Sequence, residues 1–332
     1  MSESLSLKNF TVFEELEMNF SPGINLIIGA NGTGKTHILK IIYALLASSP
    51  DYYSAINKIH SVFLPAKGEL GDELGHLVHW GAWEAEVDLI QDGKLLRIGF
   101  DAEGVARDER SIMEPAHVVY IPVKEMLSNA PGFRSLYNLR ETYFESIYVD
   151  IIDKAFLPPL KEPLSGKRYK ELLTTIQQIM EGTISQKGEH FYLSNEQGEL
   201  EFMLLAEGLR KFALLWLLIR NGSLRSGTTL LWDEPEANLN PALIKMLVRI
   251  LIELQREGVQ IFIATHNYIL LREFDLQTTQ TDAIRFFSLA KDSDTKQITC
   301  QIGGSYSSIV PNEISESYLE IYDKEVARAL SL

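Results

Sequence analysis

Eight consecutive residues, Gly29-Ala30-Asn31-Gly32-Thr33-Gly34-Lys35-Thr36, satisfy the pattern G-x-x-x-x-G-K-[ST] at every fixed position. Glycines 29, 32 and 34 let the backbone curl so that successive N–H groups converge, and the positive end of a following helix adds to them. The result is a site for a triphosphate. Lys35 is expected to reach the β- and γ-phosphates, and the Thr36 hydroxyl to bind Mg²⁺. The flanks agree with this chemistry. The apolar run Ile24–Ile28 precedes the loop, and Ile38, Leu39, Ile41, Ile42, Leu45 and Leu46 recur after it at helical spacing. A glycine-rich turn that merely caps a helix would give Lys35 and Thr36 no purpose.

A second constellation lies near residue 230. Thr228-Thr229-Leu230-Leu231-Trp232 reads as a buried strand that runs into Asp233 and Glu234. A strand that ends in Asp puts its carboxylate at the carboxyl edge of a parallel sheet, where nucleotides bind and Mg²⁺ can be held. Glu234 then points away from Asp233 and is the natural general base for an attacking water. The apolar run Val259–Thr265 ends in His266, which falls at the same edge and is a candidate contact for the γ-phosphate. Glu236-Ala237-Asn238-Leu239-Asn240-Pro241 follows the two acids directly.

The elements that must position these residues alternate between strand and helix in the last third of the chain. Leu209–Arg220 reads as helix, Pro241–Gln255 as helix, Val259–Thr265 as strand and Ala283–Leu289 as strand, which is a parallel α/β pattern. Upstream, Leu5–Phe20 reads as a hairpin laid beside the strand that leads into the phosphate loop. Phe10 or Phe13 then either stacks on a purine base or packs the core. Ile59–Phe100 reads as antiparallel strands that turn at Asp92-Gly93. Leu127–Met180 reads as a helical insertion, clearest over Leu136–Phe156 and Lys167–Met180, with a proline-rich break between them. Glu189–Phe202 is a further hairpin, and Glu313–Leu330 an amphipathic helix. The expected division is residues 1–126, the insertion 127–185, and residues 186–332.

Composition narrows the class. The 332 residues are 45% hydrophobic and 23% charged, an ordinary globular balance able to bury a large core. The net charge of −14 opposes indiscriminate attraction to DNA or anionic membranes, although clusters such as Arg210-Lys211 remain. One cysteine, Cys300, excludes an internal disulfide framework and suits the reducing cytoplasm. There is no basic-then-apolar leader and no apolar run of bilayer-spanning length.

In this order, the phosphate loop, Trp232-Asp233-Glu234-Pro235, Asn238-Leu239-Asn240-Pro241 and Thr265-His266 resemble the Walker A, Walker B, D-loop and switch histidine of ABC-type ATPases. The opening Leu7-Lys8-Asn9-Phe10 and the GANGTGKT loop are similar, more narrowly, to the RecF/SMC/OLD branch, whose members include AAA-type ATPases of bacterial anti-phage systems. Coiled-coil arms and a TOPRIM nuclease have no counterpart in the pattern. The resemblance implies an α/β P-loop fold of ABC type: a mostly parallel sheet, an antiparallel β lobe and a helical insertion. It implies ATP and Mg²⁺ as ligands, a homodimer with composite ATP sites, and a separately encoded effector, nuclease or toxin, as partner. ATP contacts would come from Gly29, Asn31, Gly32, Thr33, Gly34, Lys35, Thr36 and His37, and from Ala206, Glu207, Gly208 and Asn238. Thr36 and Asp233 would hold the metal, and Glu234, His266 and Lys35 would act in hydrolysis.

Two positions depart from the family pattern. Where the signature L-S-G-G-Q is usual, this chain has Leu205-Ala206-Glu207-Gly208-Leu209, followed by Arg210 and Lys211. Cations in a first helical turn oppose the helix dipole, so they are read either as ligands of a phosphate brought by a partner subunit or as a solvated turn. Glu125 stands where a Mg²⁺-sensing glutamine is usual. Three roles compete: a defence ATPase acting on an effector, a DNA-repair ATPase of RecF type, and the ATP-binding subunit of a transporter.

Overall fold

The computed structural model describes residues 1–49, 52–66, 74–109, 116–139, 143–161, 164, 167–309 and 313–330. In chain order its elements are β1 (Ser2–Phe10), β2 (Phe13–Asn19), β3 (Ile24–Gly29), α1 (Lys35–Ala47), α2 (Tyr52–Phe63), β4 (Glu84–Gln91), β5 (Lys94–Asp101), β6 (Ala106–Asp108) and β7 (Val118–Ile121). Then come α3 (Phe133–Leu139), α4 (Ser146–Ala155), α5 (Lys167–Met180), β8 (Thr183–Lys187), β9 (His190–Asn195), β10 (Gly198–Glu201) and α6 (Glu207–Arg220). The last part holds β11 (Thr229–Asp233), α7 (Pro241–Arg256), β12 (Gln260–Thr265), α8 (Tyr268–Gln277), β13 (Ile284–Lys291), β14 (Ile298–Gly303) and α9 (Glu313–Leu330).

The central sheet has the order β14-β13-β3-β12-β11-β7, and every pairing in it is parallel except that of β14. β3, β7, β11 and β12 are buried along their whole length, which is why they read as largely apolar runs. In β3, Ile24, Leu26 and Ile28 face the layer that holds α5, α6 and α7, while Ile27 faces α1 and the antiparallel lobe. β11 divides Leu230 and Trp232 from Leu231 in the same way, and β12 divides Ile261 and Ile263 from Phe262 and Ala264. Full burial of side chains this size contributes about 1.5–3 kcal/mol each. The alternation therefore fixes which face each strand turns to each layer.

The lobe is a five-stranded sheet, β2-β1-β4-β5-β6, and corrects the placing of the N-terminal hairpin. β1 pairs with β4 rather than with the phosphate-loop strand, so the hairpin belongs to the lobe. The turn at Asp92 and Gly93 is where the sequence puts it, with φ of 49° and 71° at the two residues. Ile59–Phe63, read with the strands, completes α2 instead. The expected helix over Leu136–Phe156 is two helices, α3 and α4, with residues 140–142 of that span outside the described residues. Pro163 of the proline-rich break is also outside them. β8, β9 and β10 form a third sheet.

One ion pair ties the α7 end of the central sheet to the start of β13. Arg256 donates from Nε and Nη2 to the two carboxylate oxygens of Asp282, at 2.8 Å each, and Thr279 adds its N–H and hydroxyl. These donors, the Arg256 guanidinium first, draw the Asp282 carboxyl down to a pKa of about 2. A depressed carboxylate contributes stability above its unfolded pKa and loses it as pH falls through the folded value. Asp282→Asn should therefore cost about 1–3 kcal/mol in urea denaturation at pH 7, and the loss should shrink between pH 3.8 and about 2.

Candidate functional site

The strand order β3-β12-β11 brings three sequence-distant segments to one edge. In register, Thr265 lies opposite Ile28 and Asp233 opposite Ala264, so the phosphate loop, His266 and the two acids emerge side by side. The loop itself is shaped by its glycines. Gly34 has φ 89°, and a Cβ there would lie 2.4 Å from Phe13 Cζ, so both conformation and space demand glycine. Phe10 and Phe13 are fully buried, which assigns them to packing rather than to base stacking. Phe13 braces the loop from below.

Helix α1 begins at Lys35 with no side-chain cap and no acidic residue in its first turn. Its free N–H groups and dipole are thus open to an anion. Asn31 and Gly32 are exposed at the loop tip, and Thr33 is buried with its hydroxyl donating to the Ala30 carbonyl at 2.9 Å. Lys35 is also buried. Its Nζ donates to the carbonyls of Gly29 and Ala30 at 2.8 Å each. Burial lowers its pKa, and the charges of Glu234, Asp233 and Glu236 oppose that shift.

The Thr36 hydroxyl donates to Asp233 Oδ2 at 2.8 Å, which joins the two expected metal ligands across the sheet edge. Burial raises the Asp233 pKa against the effect of that bond, and the fully buried Tyr120 borders the same carboxylate. No group of three His, Cys, Asp or Glu side chains forms a metal site among the described residues. A Mg²⁺ ion here would accordingly rest on Thr36, Asp233 and substrate oxygens, a donor set of hard oxygens that fits it.

Glu234 has φ 44°, an uncommon conformation for a residue with a Cβ. Its N–H donates to the Ala264 carbonyl at 2.9 Å, and its Oε1 lies 3.0 Å from Nδ1 of His266, which is half exposed. Behind them Glu236, which sequence reasoning passed over, is buried and accepts from the Thr265 hydroxyl at 2.6 Å. Desolvation raises its pKa. Asn238 is exposed with φ 61°. Asn240 caps α7, accepting from Leu243 N at 2.9 Å.

The Ala206–Gly208 turn sits at the start of α6, away from the phosphate loop. Ala206 is the exposed cap residue with no capping side chain, Glu207 is half-buried, and Gly208 is buried against the segment after the two acids. A Cβ at Gly208 would stand 2.9 Å from Leu239 Cδ2 and 3.2 Å from the Asn238 carbonyl oxygen. No hydrogen bond or ion pair joins residues 206–208 to residues 29–36 among the described residues. Arg210 and Lys211 correct both readings made of them. Arg210 pairs at 2.8 Å with buried Glu125, whose carboxylate also accepts from Leu127 N and from the Ser128 hydroxyl. Lys211 is 3% exposed and donates to backbone carbonyls. Neither is a solvated cation. Their partners are a residue far away in sequence and the main chain, which carry no local signal.

His37, in the first turn of α1, packs edge-on against Phe63, and its buried Nδ1 has no hydrogen-bond partner. Burial, assisted by Lys40, pushes its pKa down to about 4 from 6.5. The folded ring is therefore neutral where the unfolded chain would be protonated. Stability from this residue is complete above pH 6.5 and is lost as pH falls toward 4, by an amount on the order of 1–3 kcal/mol. Chemical denaturation across that range should show the loss, and His37→Phe should flatten it.

A family model described as "AAA domain, putative AbiEii toxin, Type IV TA system" matches residues 106–272, and a model of an "AAA ATPase domain" matches residues 1–88. The DNA replication and repair protein RecF of Cytophaga hutchinsonii is 56% identical over 43 residues, covering 13% of this chain and 11% of that protein. RecF of Streptococcus agalactiae is 27% identical over 198 residues, 51% of each chain. The chain thus spans at most about half the length of these relatives. A solved SMC head bound to the C-winged helix domain of ScpA superposes with a TM-score of 0.59 at 14% identity, over 93% of this chain and 99% of that one. An Smc head with an extended coiled coil, bound to the C-terminal domain of ScpA derived from Pyrococcus furiosus, gives 0.52 at 12% identity, over 97% and 98%. At such identities these structures establish the shared α/β P-loop fold alone. With a family model matched over half its length, this chain belongs to the AAA ATPase-domain family described by putative AbiEii toxins of type IV toxin–antitoxin systems.

Proposed function

We propose that the protein binds ATP with Mg²⁺ and hydrolyses it at composite sites formed when two copies meet head to tail. The observation that carries this reading is the convergence of three features at one sheet edge: the uncapped start of α1, the Thr36–Asp233 pair and the Glu234–His266 pair. The P-loop N–H groups and Lys35 hold the phosphates, and Thr36 with Asp233 holds the metal. Bound Mg²⁺ supplies positive charge that offsets the charge developing on the transferred phosphoryl group. Glu234 Oε1 is engaged by His266, which leaves Oε2 as the oxygen that takes the proton of the attacking water. Exposed Ala206 and Asn238, flanked by exposed Met203 and Leu204, provide the surface that a second copy covers.

In this reading ATP-driven closure controls a separately encoded effector, a nuclease or toxin of bacterial anti-phage defence acting in the cytoplasm. Its support is the family description, which names a putative toxin of a toxin–antitoxin system. No described helix is long and apolar enough to cross a membrane. A RecF-like role in binding DNA is favoured by the matches to RecF. With a net charge of −14, such binding must rest on a few clustered cations and fall steeply with salt.

Glu234→Gln should retain ATP and accumulate as a dimer in size-exclusion chromatography with ATP and Mg²⁺, with hydrolysis reduced at least about 100-fold. Lys35→Ala should instead weaken nucleotide binding itself. A Glu234→Gln protein that stays monomeric with ATP bound would contradict the composite site. DNA retention by the ATP-free protein that is unchanged from 50 mM to about 200 mM salt would contradict the local-contact account of DNA binding.

A further inference from the structure

Lys211 follows Arg210 in α6 and immediately precedes the apolar run of residues 212–219. It is not exposed and does not sit on a carboxylate. Its Nζ donates to the backbone carbonyls of Glu234 at 3.4 Å, Pro235 at 3.2 Å and Ala237 at 2.7 Å. An ammonium has three protons and no acceptor, and here three carbonyls of one tight turn face it. Burial lowers its pKa, and the charges of Glu207, Glu236, Glu234 and Glu125 oppose that shift only in part.

The carbonyl nearest the chemistry is that of Glu234 itself. This residue holds an uncommon positive φ, and such a conformation persists only where neighbouring groups enforce it. Its N–H is tied to β12, and its C=O accepts from the Ala237 N–H at 3.1 Å and from Lys211 Nζ at 3.4 Å, so the peptide planes on either side of the carboxylate are held by β12 on one side and by the turn together with α6 on the other. One of these, α6, begins four residues before Lys211, at Glu207, and its next residue, Gly208, has its backbone against Asn238 and Leu239. No flexible linker separates the turn that faces outward from the lysine that grips the catalytic segment.

We propose that Lys211 is a positioning residue that couples the two ATP sites of the dimer. The proposal rests on the head-to-tail reading given above. In that arrangement the Ala206–Gly208 turn of one subunit completes the site of its partner, while Lys211, one helical turn further on, sets the backbone of Glu234 in its own site. Engagement of α6 at one site moves the Lys211 ammonium relative to three carbonyls at the other. Nucleotide at either site therefore prepares the base of the second, and hydrolysis is positively cooperative in ATP.

The test compares wild type, Lys211→Met and Lys211→Arg by steady-state hydrolysis against ATP concentration, fluorescent-ATP binding, size exclusion and thermal melting. Wild type should give a Hill coefficient above one. Lys211→Met should lower kcat at least about tenfold and bring the Hill coefficient to one. Its ATP affinity should stay within about threefold of wild type and its ATP-driven dimer should persist, since phosphate ligands and exposed surface are untouched. Lys211→Arg keeps the charge and should recover part of both kcat and cooperativity. A merely structural lysine would lower melting temperature and ATP affinity together, and that pattern overturns the proposal. So does Lys211→Met with wild-type kcat and Hill coefficient. Wild type that hydrolyses as a dimer with a Hill coefficient of one rejects the coupling but leaves the composite site standing, whereas wild type that hydrolyses as a monomer rejects both.

Discussion

The parallel pairing of β3 with β12 and of β12 with β11 is the constraint on which the site depends. Because the three strands run the same way, their carboxyl ends open on one edge, and the phosphate loop, His266 and the acids meet there. The register is held by side chains buried on both faces. A slip of one residue in β12 would send Phe262 into the layer that holds Ile261 and Ile263 and would carry Thr265 away from Glu236. Packing far from the loop thus determines the geometry of the chemistry.

Around this edge the chain gathers an unusual density of buried charge. Asp233, Glu236, Lys35 and Lys211 are all buried, and for each the largest influence on the pKa is desolvation. Burial alone would discharge them, but each lies in the field of opposite charges and accepts or donates hydrogen bonds at short range. Such a network is costly to disturb at any one point, because removing one partner leaves another uncompensated. It also makes the backbone after β11 rigid where Glu234 needs to be held.

Much of this was legible in the sequence, and the unread parts share a physical cause. The phosphate loop, the strands that end in Asp233 and before His266, and helices such as Lys167–Met180 follow from local pattern: a motif of fixed spacing or an apolar period. The end of α2 misled because Ile59, Val62 and Phe63 are too few to separate a helical period from a strand. The N-terminal hairpin was found, but its sheet was not, since β1 pairs with a strand about eighty residues away. Lys211 looked like a surface cation because its acceptors are backbone carbonyls, which no residue letter records. Glu236 was hidden likewise, its partner Thr265 lying on another strand.

The central claim is that the sheet edge hydrolyses ATP only when completed by a second copy, and mixing two crippled variants tests it most directly. Lys35→Ala breaks the phosphate loop, and Ala206→Trp blocks the exposed turn at the start of α6 without entering the core. Each alone should be inactive. Mixed dimers contain one site with an intact loop facing an intact turn, so the mixture should recover hydrolysis up to about one quarter of wild type. A mixture no more active than its two components, or an Ala206→Trp protein with full activity on its own, would contradict the account.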